Sequence, residues 1–200
     1  MSKSPAPARQ RANAYHHGDL REALIEAAYS EVERDGAEVV NMSALARRLG
    51  VSQAAPYRHF ADRDDLLTAV AAKGFRAFTK ALEESLGLPH PSSRLGRLAH
   101  AYVEFGLQNT GLYRLMFVTH LLQRAPPDGD LPNAASESLR LIIQEMPPSD
   151  DEASAARLGL RFVAALHGIT MMVEQGFLPT KVRKISAQDL VDDLVREVES

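Results

Sequence analysis

An all-α fold is predicted by three observations. Apolar residues recur at spacings of three and four over most of the chain, breaks fall at Gly- and Pro-rich stretches, and no run of alternating β-branched residues marks a strand. The 200 residues suffice for one domain of about 100 to 200 residues, or for two smaller modules sharing a core. No internal repeat marks a solenoid.

The first predicted helix carries Leu20, Ala23, Leu24, Ala27, Ala28 and Val32 as one buried stripe, with Asp19 near its start and Gly36 as its stop. Asn41 then caps a second, short helix whose face is Leu45, Ala46 and Leu49, and Gly50 ends it after two turns. Ser52 caps a third helix expected to run through Tyr57 and His59. Pro56 fits there only in the first turn, where a missing amide hydrogen is not needed. Helix, tight Gly turn and short helix, braced by the longer helix before them, form a helix-turn-helix unit.

Asp62 caps a long helix that keeps its apolar spacing from Leu66 to Leu86 and stops at Gly87. Its roughly 24 residues span about 36 Å, enough to leave a small three-helix unit and enter another. The domains are therefore placed at 18–63 and 64–200, preceded by a flexible arm over 1–17. Beyond the break at Leu88 to Ser93 the spacing predicts a helix from about Ser93 to Asn109, a kink or turn at Gly111, and a shorter helix to about Gln123. The Pro- and Asp-rich segment Ala125 to Asn133 reads as an exposed loop. Helices follow at about Ala134 to Glu145, Asp150 to Gln175 and Ala187 to Val198.

Composition removes whole classes of function. With no cysteine, a disulfide scaffold, a Cys-ligated zinc finger, an iron–sulfur site and thiol catalysis are excluded. There is no Gly-rich phosphate loop, no His-Glu-x-x-His motif and no paired-carboxylate signature, so an enzyme is not expected, nor is a cofactor or metal. The adjacent His16 and His17 point in different directions on any helix; they fit an arm approaching phosphate better than a metal site. Residues 1–10 lack the apolar run of about 7 to 15 residues of a secretory signal, and no stretch reaches about 20 uninterrupted apolar residues. A cytoplasmic protein with no membrane partner is expected.

The formal net charge of −3 rules out a uniformly basic coat, yet the charge is unevenly placed. Between Ala44 and Arg63, four arginines (Arg47, Arg48, Arg58 and Arg63) face the single acid Asp62, a local +3 that leaves −6 for the rest. This is the distribution of a chain that brings one edge to phosphate. A short helix fits the major groove, about 12 Å wide, where Gln pairs with adenine and Ala meets the thymine methyl. Gln53, Ala54, Ala55, Arg58 and His59 are the candidates for base reading. Asn41, Ser43, Ser52, Tyr57 and Arg63 complete the predicted DNA-binding set, Tyr57 either as a core ring or with its hydroxyl on phosphate.

The run from Asn41 to Phe60, continued by Ala61-Asp62-Arg63-Asp64-Asp65-Leu66-Leu67, resembles the DNA-binding motif of the tetracycline-repressor (TetR) family. Tyr15-His16-His17-Gly18-Asp19-Leu20-Arg21 and the Ala27-Ala28 helix are similar to N-terminal regions of that family. Leu45, Ala46, Gly50, Val51 and Phe60 match its packing and turn positions, Gln53 to Ala55 and Tyr57 to His59 its recognition helix. Arg63 stands where a phosphate-binding Lys is common; Asn41 replaces a more usual Thr, and Pro56 a common aliphatic residue. The resemblance implies a homodimeric transcriptional regulator, usually a repressor, that binds a near-palindromic operator. A small effector held by the C-terminal domain would change the spacing of the two DNA heads. Gly111 to Phe117 and Leu166-His167-Gly168 resemble a subgroup with a Trp-x-x-x-His-Gly pattern, although Val163 stands where the Trp belongs.

In the second half, a pocket for a mostly apolar or aromatic molecule is expected from Phe75, Phe78, Tyr102, Phe105, Tyr113, Met116, Phe117, His120, Phe162, Leu166, His167 and Met171. Each taken singly fits an ordinary core better than a ligand contact. Ala156, Leu160, Val163 and Ala164, with Leu190, Leu194 and Val198, form the stripes expected to pair two subunits into a four-helix interface. A helical protein-interaction module is the competing reading; it leaves the basic helix-turn-helix window unexplained.

Overall fold

A computed structural model describes residues 17–87, 92–117, 119–148, 151–177 and 185–200. Within them lie α1 (His17–Asp35), α2 (Met42–Arg48), α3 (Arg63–Gly87), α4 (Arg94–Gln108), α5 (Thr110–Phe117), α6 (Leu121–Arg124), α7 (Asp130–Gln144), α8 (Glu152–Glu174) and α9 (Ala187–Glu199). Two 3-10 turns, Ala37–Val39 and Pro56–Arg58, complete the described elements, and no strand occurs among them. The arm expected over residues 1–17 lies almost wholly outside the described residues.

The head folds as its punctuation dictates. Asn41 Oδ1 accepts the Ala44 amide at 3.0 Å and starts α2. At the other end Gly50, at φ 69°, adopts the left-handed conformation that closes a helix. Its amide bonds to the Arg47 carbonyl at 3.2 Å and the Val51 amide to the Ala46 carbonyl at 3.0 Å, the crossed pair of a Schellman stop. Leu24, Ala28 and Val32 of α1 are fully buried with Leu45 and Ala46 of α2 and Leu66, Val70 and Ala71 of α3. Asp62 Oδ1 accepts the Asp65 amide at 2.8 Å and Asp65 Oδ2 the Ala61 amide at 2.9 Å, a reciprocal cap at the entry to α3.

The third helix differs from expectation. Instead of an α-helix starting at Ser52, the chain makes one turn at Ser52–Ala55, with the Ala55 amide on the Ser52 carbonyl at 2.9 Å, and then the 3-10 turn Pro56–Arg58. The proline is the cause. In an α-helix capped by Ser52, residue 56 would donate the first bond back to the Ser52 carbonyl, and proline has no hydrogen to donate. The α-type pattern resumes only at the end, where the Phe60 amide reaches the Pro56 carbonyl at 3.1 Å.

In the rest of the chain α3 packs on α4 and α7, α4 on α8 and α9, and α7 on α8. Gly111 is not a kink; it lies in the first turn of α5, pressed against the end of α1. A Cβ there would sit 2.1 Å from the Val32 carbonyl oxygen, so only glycine allows this approach of the two helices. The Asp-Pro segment is shorter than expected, since α7 already starts at Asp130. Pro132 falls in its first turn, where no amide is needed, and Leu131 is buried. Asp151 caps α8 through the Ser154 amide at 2.7 Å, and Ser186 and Asp189 form a capping box on α9.

Candidate functional site

The turn after α2 separates an inner from an outer set of residues. Pro56 and Phe60 are buried and anchor it, with Phe60 only 2% exposed. Ser52, Gln53, Ala54 and Arg58 are exposed, Tyr57 is 54% exposed, and Ala55 and His59 are half-buried. Of the two roles read for Tyr57, the exposed ring fits a hydroxyl offered to an outside partner. Asn41 is exposed but its side-chain oxygen is spent on the cap, and Ser43 is half-buried.

The four arginines of the basic window divide in two. Arg48 donates to the Ala27 carbonyl at 2.7 Å and to Glu31 Oε1 at 2.9 Å, tying α2 to α1. Arg63 donates through Nε to the Val40 carbonyl at 2.9 Å and through Nη2 to the Ala37 carbonyl, so it closes the α1–α2 connection over the start of α3. Arg47 and Arg58 are exposed, as is Arg48, but unlike it they make no ion pair among the described residues. The predicted DNA-binding set held Arg58 and Arg63 and left out Arg47 and Arg48, so the structure draws the division elsewhere. What separates them is contact across 17 to 26 residues of chain, which no local pattern displays. A further cation, Arg21 on α1, was missed by that window; its guanidinium lies over the Phe60 ring, 5.3 Å from the centroid.

The aromatic residues expected to line a pocket gather in one core. Phe78 meets Tyr102 edge-on at 5.0 Å and Phe105 at 5.1 Å, Phe75 meets Phe117 at 5.1 Å, and Tyr113 lies 4.7 Å from Phe117 and stacks on His167 at 5.5 Å. Met116, Phe162 and Leu166 are buried in the same cluster. Polar groups thread through it: the Tyr113 hydroxyl lies 3.2 Å from that of Tyr102 and 2.7 Å from His167 Nδ1. Burial pushes Tyr113 up to about 12, raises Tyr102 well above its ordinary value and lowers His167. All three are therefore neutral near pH 7, and they satisfy one another.

Two expected pocket residues stand apart. His120 is on the surface, with Nε2 3.4 Å from Asp64, which also binds Arg124 at 2.9 Å. Met171 lies at the core margin and lines a cavity of about 640 Å³ between the end of α1, α5 and the end of α8. A second cavity, about 460 Å³, opens between Ala37, Arg63, Asp64 and His120. Both lie where the head meets the bundle, a location that sequence spacing gave no means of finding.

On α8, Leu160 is 52% and Met172 42% exposed, Ala164 is exposed, and Ala156 and Val163 are half-buried; a Cβ on Gly168 would meet open space. Leu190, Leu194 and Val198 of α9 are half-buried. By length and composition α8 alone among the described helices is apolar enough to cross a membrane, and only 22% of its apolar stretch is buried.

Two family models match the chain. Bacterial regulatory proteins of the tetR family match residues 24–70, and the tetracyclin repressor-like C-terminal domain matches residues 95–198. A protein of unknown function from Rhodococcus sp. RHA1 has a structure similar to this one: 32% identity, 94% of this chain and 100% of the other covered, TM-score 0.74. The HTH-type transcriptional regulator YobS of Bacillus subtilis (strain 168) is 24% identical over 156 residues, covering 78% of this chain and 80% of YobS. The fold is shared at 19% identity and TM-score 0.63 with the multidrug binding protein EbrR, solved in complex with ethidium, over 89% of this chain and 98% of the other.

Proposed function

The chain belongs to the tetracycline-repressor family of bacterial regulatory proteins, and from that membership we propose that it acts as a homodimeric repressor released from its operator by a small molecule. As a member it is a DNA-binding transcriptional regulator and not an enzyme. In our reading residues 18–63 form the DNA head and 64–200 the dimerising, effector-responsive part, working in the cytoplasm.

The observation that carries this reading is the turn at Ser52–His59. Gln53, Tyr57 and Arg58 stand exposed on a rigid base of buried Pro56 and Phe60. A side chain that reads base edges needs unspent donors and acceptors on a fixed backbone. Gln53, Ala54, Ala55, Arg58 and His59 are the proposed base readers, with Ser52 and Tyr57 on the flanking phosphates. Asn41, Ser43 and Arg63 would contribute from the rim, Arg63 mainly by holding the head together.

The dimer is proposed through the α8 stripe of Ala156, Leu160, Val163 and Ala164 with Leu190, Leu194 and Val198 of α9. An apolar helix that its own protomer leaves largely uncovered needs a partner surface, and a symmetry mate presents the same one. Such a dimer would hold its two turns about 34 to 36 Å apart on a near-palindromic site. An effector that prefers a different spacing would shift the population off DNA in proportion to its preference between states. The aromatic core around Tyr102, Tyr113 and His167, neutral throughout, suits a mostly apolar effector, and the two cavities at the head junction lie where such a shift must pass.

Selecting bound fragments from genomic DNA tests this. The reading predicts a near-palindromic site that takes two chains per duplex. Recovery of asymmetric sites bound by single chains would contradict it.

A further inference from the structure

Arg21 sits outside the basic window that marks the head in the sequence, and the fold brings it to the base of the recognition turn. It is an exposed residue on the second turn of α1, between the buried Leu20 and Leu24. Its guanidinium covers the ring of Phe60, the residue whose amide closes the turn onto Pro56. A cation–π contact offers the guanidinium no hydrogen-bond acceptor of its own, so the five N–H donors stay available to an outside one. Among the described residues Arg21 has no ion pair, whereas Arg48 and Arg63 have committed their donors to protein oxygens. The nearby acids of α1 do not draw it away either, since Glu22 and Glu26 pair with Lys73 on α3.

We infer that Arg21 is a DNA-phosphate contact, positioned by Phe60 so that it moves as one body with the base-reading turn. The cation–π contact restrains the side chain before DNA arrives, so less rotamer freedom is lost on binding. The exposed cations of the head that make no ion pair among the described residues are then Arg21, Arg47 and Arg58, drawn from three separate segments, and the contact at Arg21 is blind to base sequence. This rests on the recognition turn being the DNA face, and the experiment keeps the two apart.

Full-length protein carrying Arg21→Ala, Arg21→Gln or Arg21→Lys is titrated with the selected operator, and with single-base variants of it, over a range of salt. Arg58→Ala is run in parallel, and Lys80→Ala, remote on α3, serves as control. Loss of one phosphate contact per chain, two per dimer, predicts at least roughly tenfold weaker binding near 0.1 M salt for Arg21→Ala and Arg21→Gln. That loss should be equal on every operator variant, with the log–log salt slope of the dimer shallower by about two. Arg21→Lys should keep the slope. An unchanged slope in both neutral variants, or a loss that differs between bases, overturns the inference. So does failure of both neutral variants to fold by thermal melting, which would assign Arg21 to the fold. If Arg58→Ala changes nothing while the Arg21 variants behave as stated, the turn's role fails and the phosphate contact stands.

Discussion

The recognition turn and the aromatic core of the bundle treat polar groups in opposite ways. In the turn, buried Pro56 and Phe60 hold the backbone, while Gln53, Tyr57 and Arg58 are left facing outward. In the core, Tyr102, Tyr113 and His167 are turned inward and satisfy each other within a shell of Phe rings. Unspent polar groups on a rigid base announce an outside partner; spent ones do not. That difference is why the chemistry of the DNA partner can be argued from the head, whereas under the proposed reading the core would narrow an effector only to something largely apolar.

The comparison breaks most visibly if the core is truncated. Phe78 touches Tyr102, Phe105 and Phe117 and is 1% exposed. Phe78→Ala should lower unfolding free energy by about 3 to 5 kcal/mol in chemical denaturation. A cost near zero would mean that the core is loose enough to be an open pocket in the free protein.

A smaller effect sharpens the same contrast through pH. Burial holds His167 below its ordinary value of 6.5, so between the two values the unfolded chain binds a proton that the folded chain resists. The stability due to neutral His167 is present in full above 6.5 and is lost as pH falls from there through the lower folded value. His167→Gln should therefore lose less of its Tm than the parent between about pH 7.5 and about pH 5.5. Equal losses would show that the imidazole is not the group being titrated.

The sequence made the scaffold legible where local chemistry decides it. The stop at Gly50, the caps at Asn41 and Asp62 and the extent of α3 all depend on residues within a few positions of one another, and each stands as expected. It misled where one residue vetoes a pattern: Pro56 denies an α-helix to a segment that otherwise reads as one, and Gly111, which looks like a break, is a helix contact. It was silent where distant segments meet. Arg63 reads as DNA-facing until the carbonyls of Ala37 and Val40 arrive from elsewhere in the chain, Arg48 is tied down in the same way by the carbonyl of Ala27, and Arg21 gains its place only once Phe60 folds beneath it.

The central claim, that equal charges in one short window divide into DNA-reading and fold-holding residues, is tested most directly by comparing Arg58→Ala with Arg48→Ala on the selected operator. Arg58→Ala should leave Tm unchanged and weaken binding to the operator, with altered preference among its base variants. Arg48→Ala should lower Tm, and at a temperature where it is folded it should keep the parent's salt slope and base preferences. The reverse pattern, or identical effects from the two, would contradict the account.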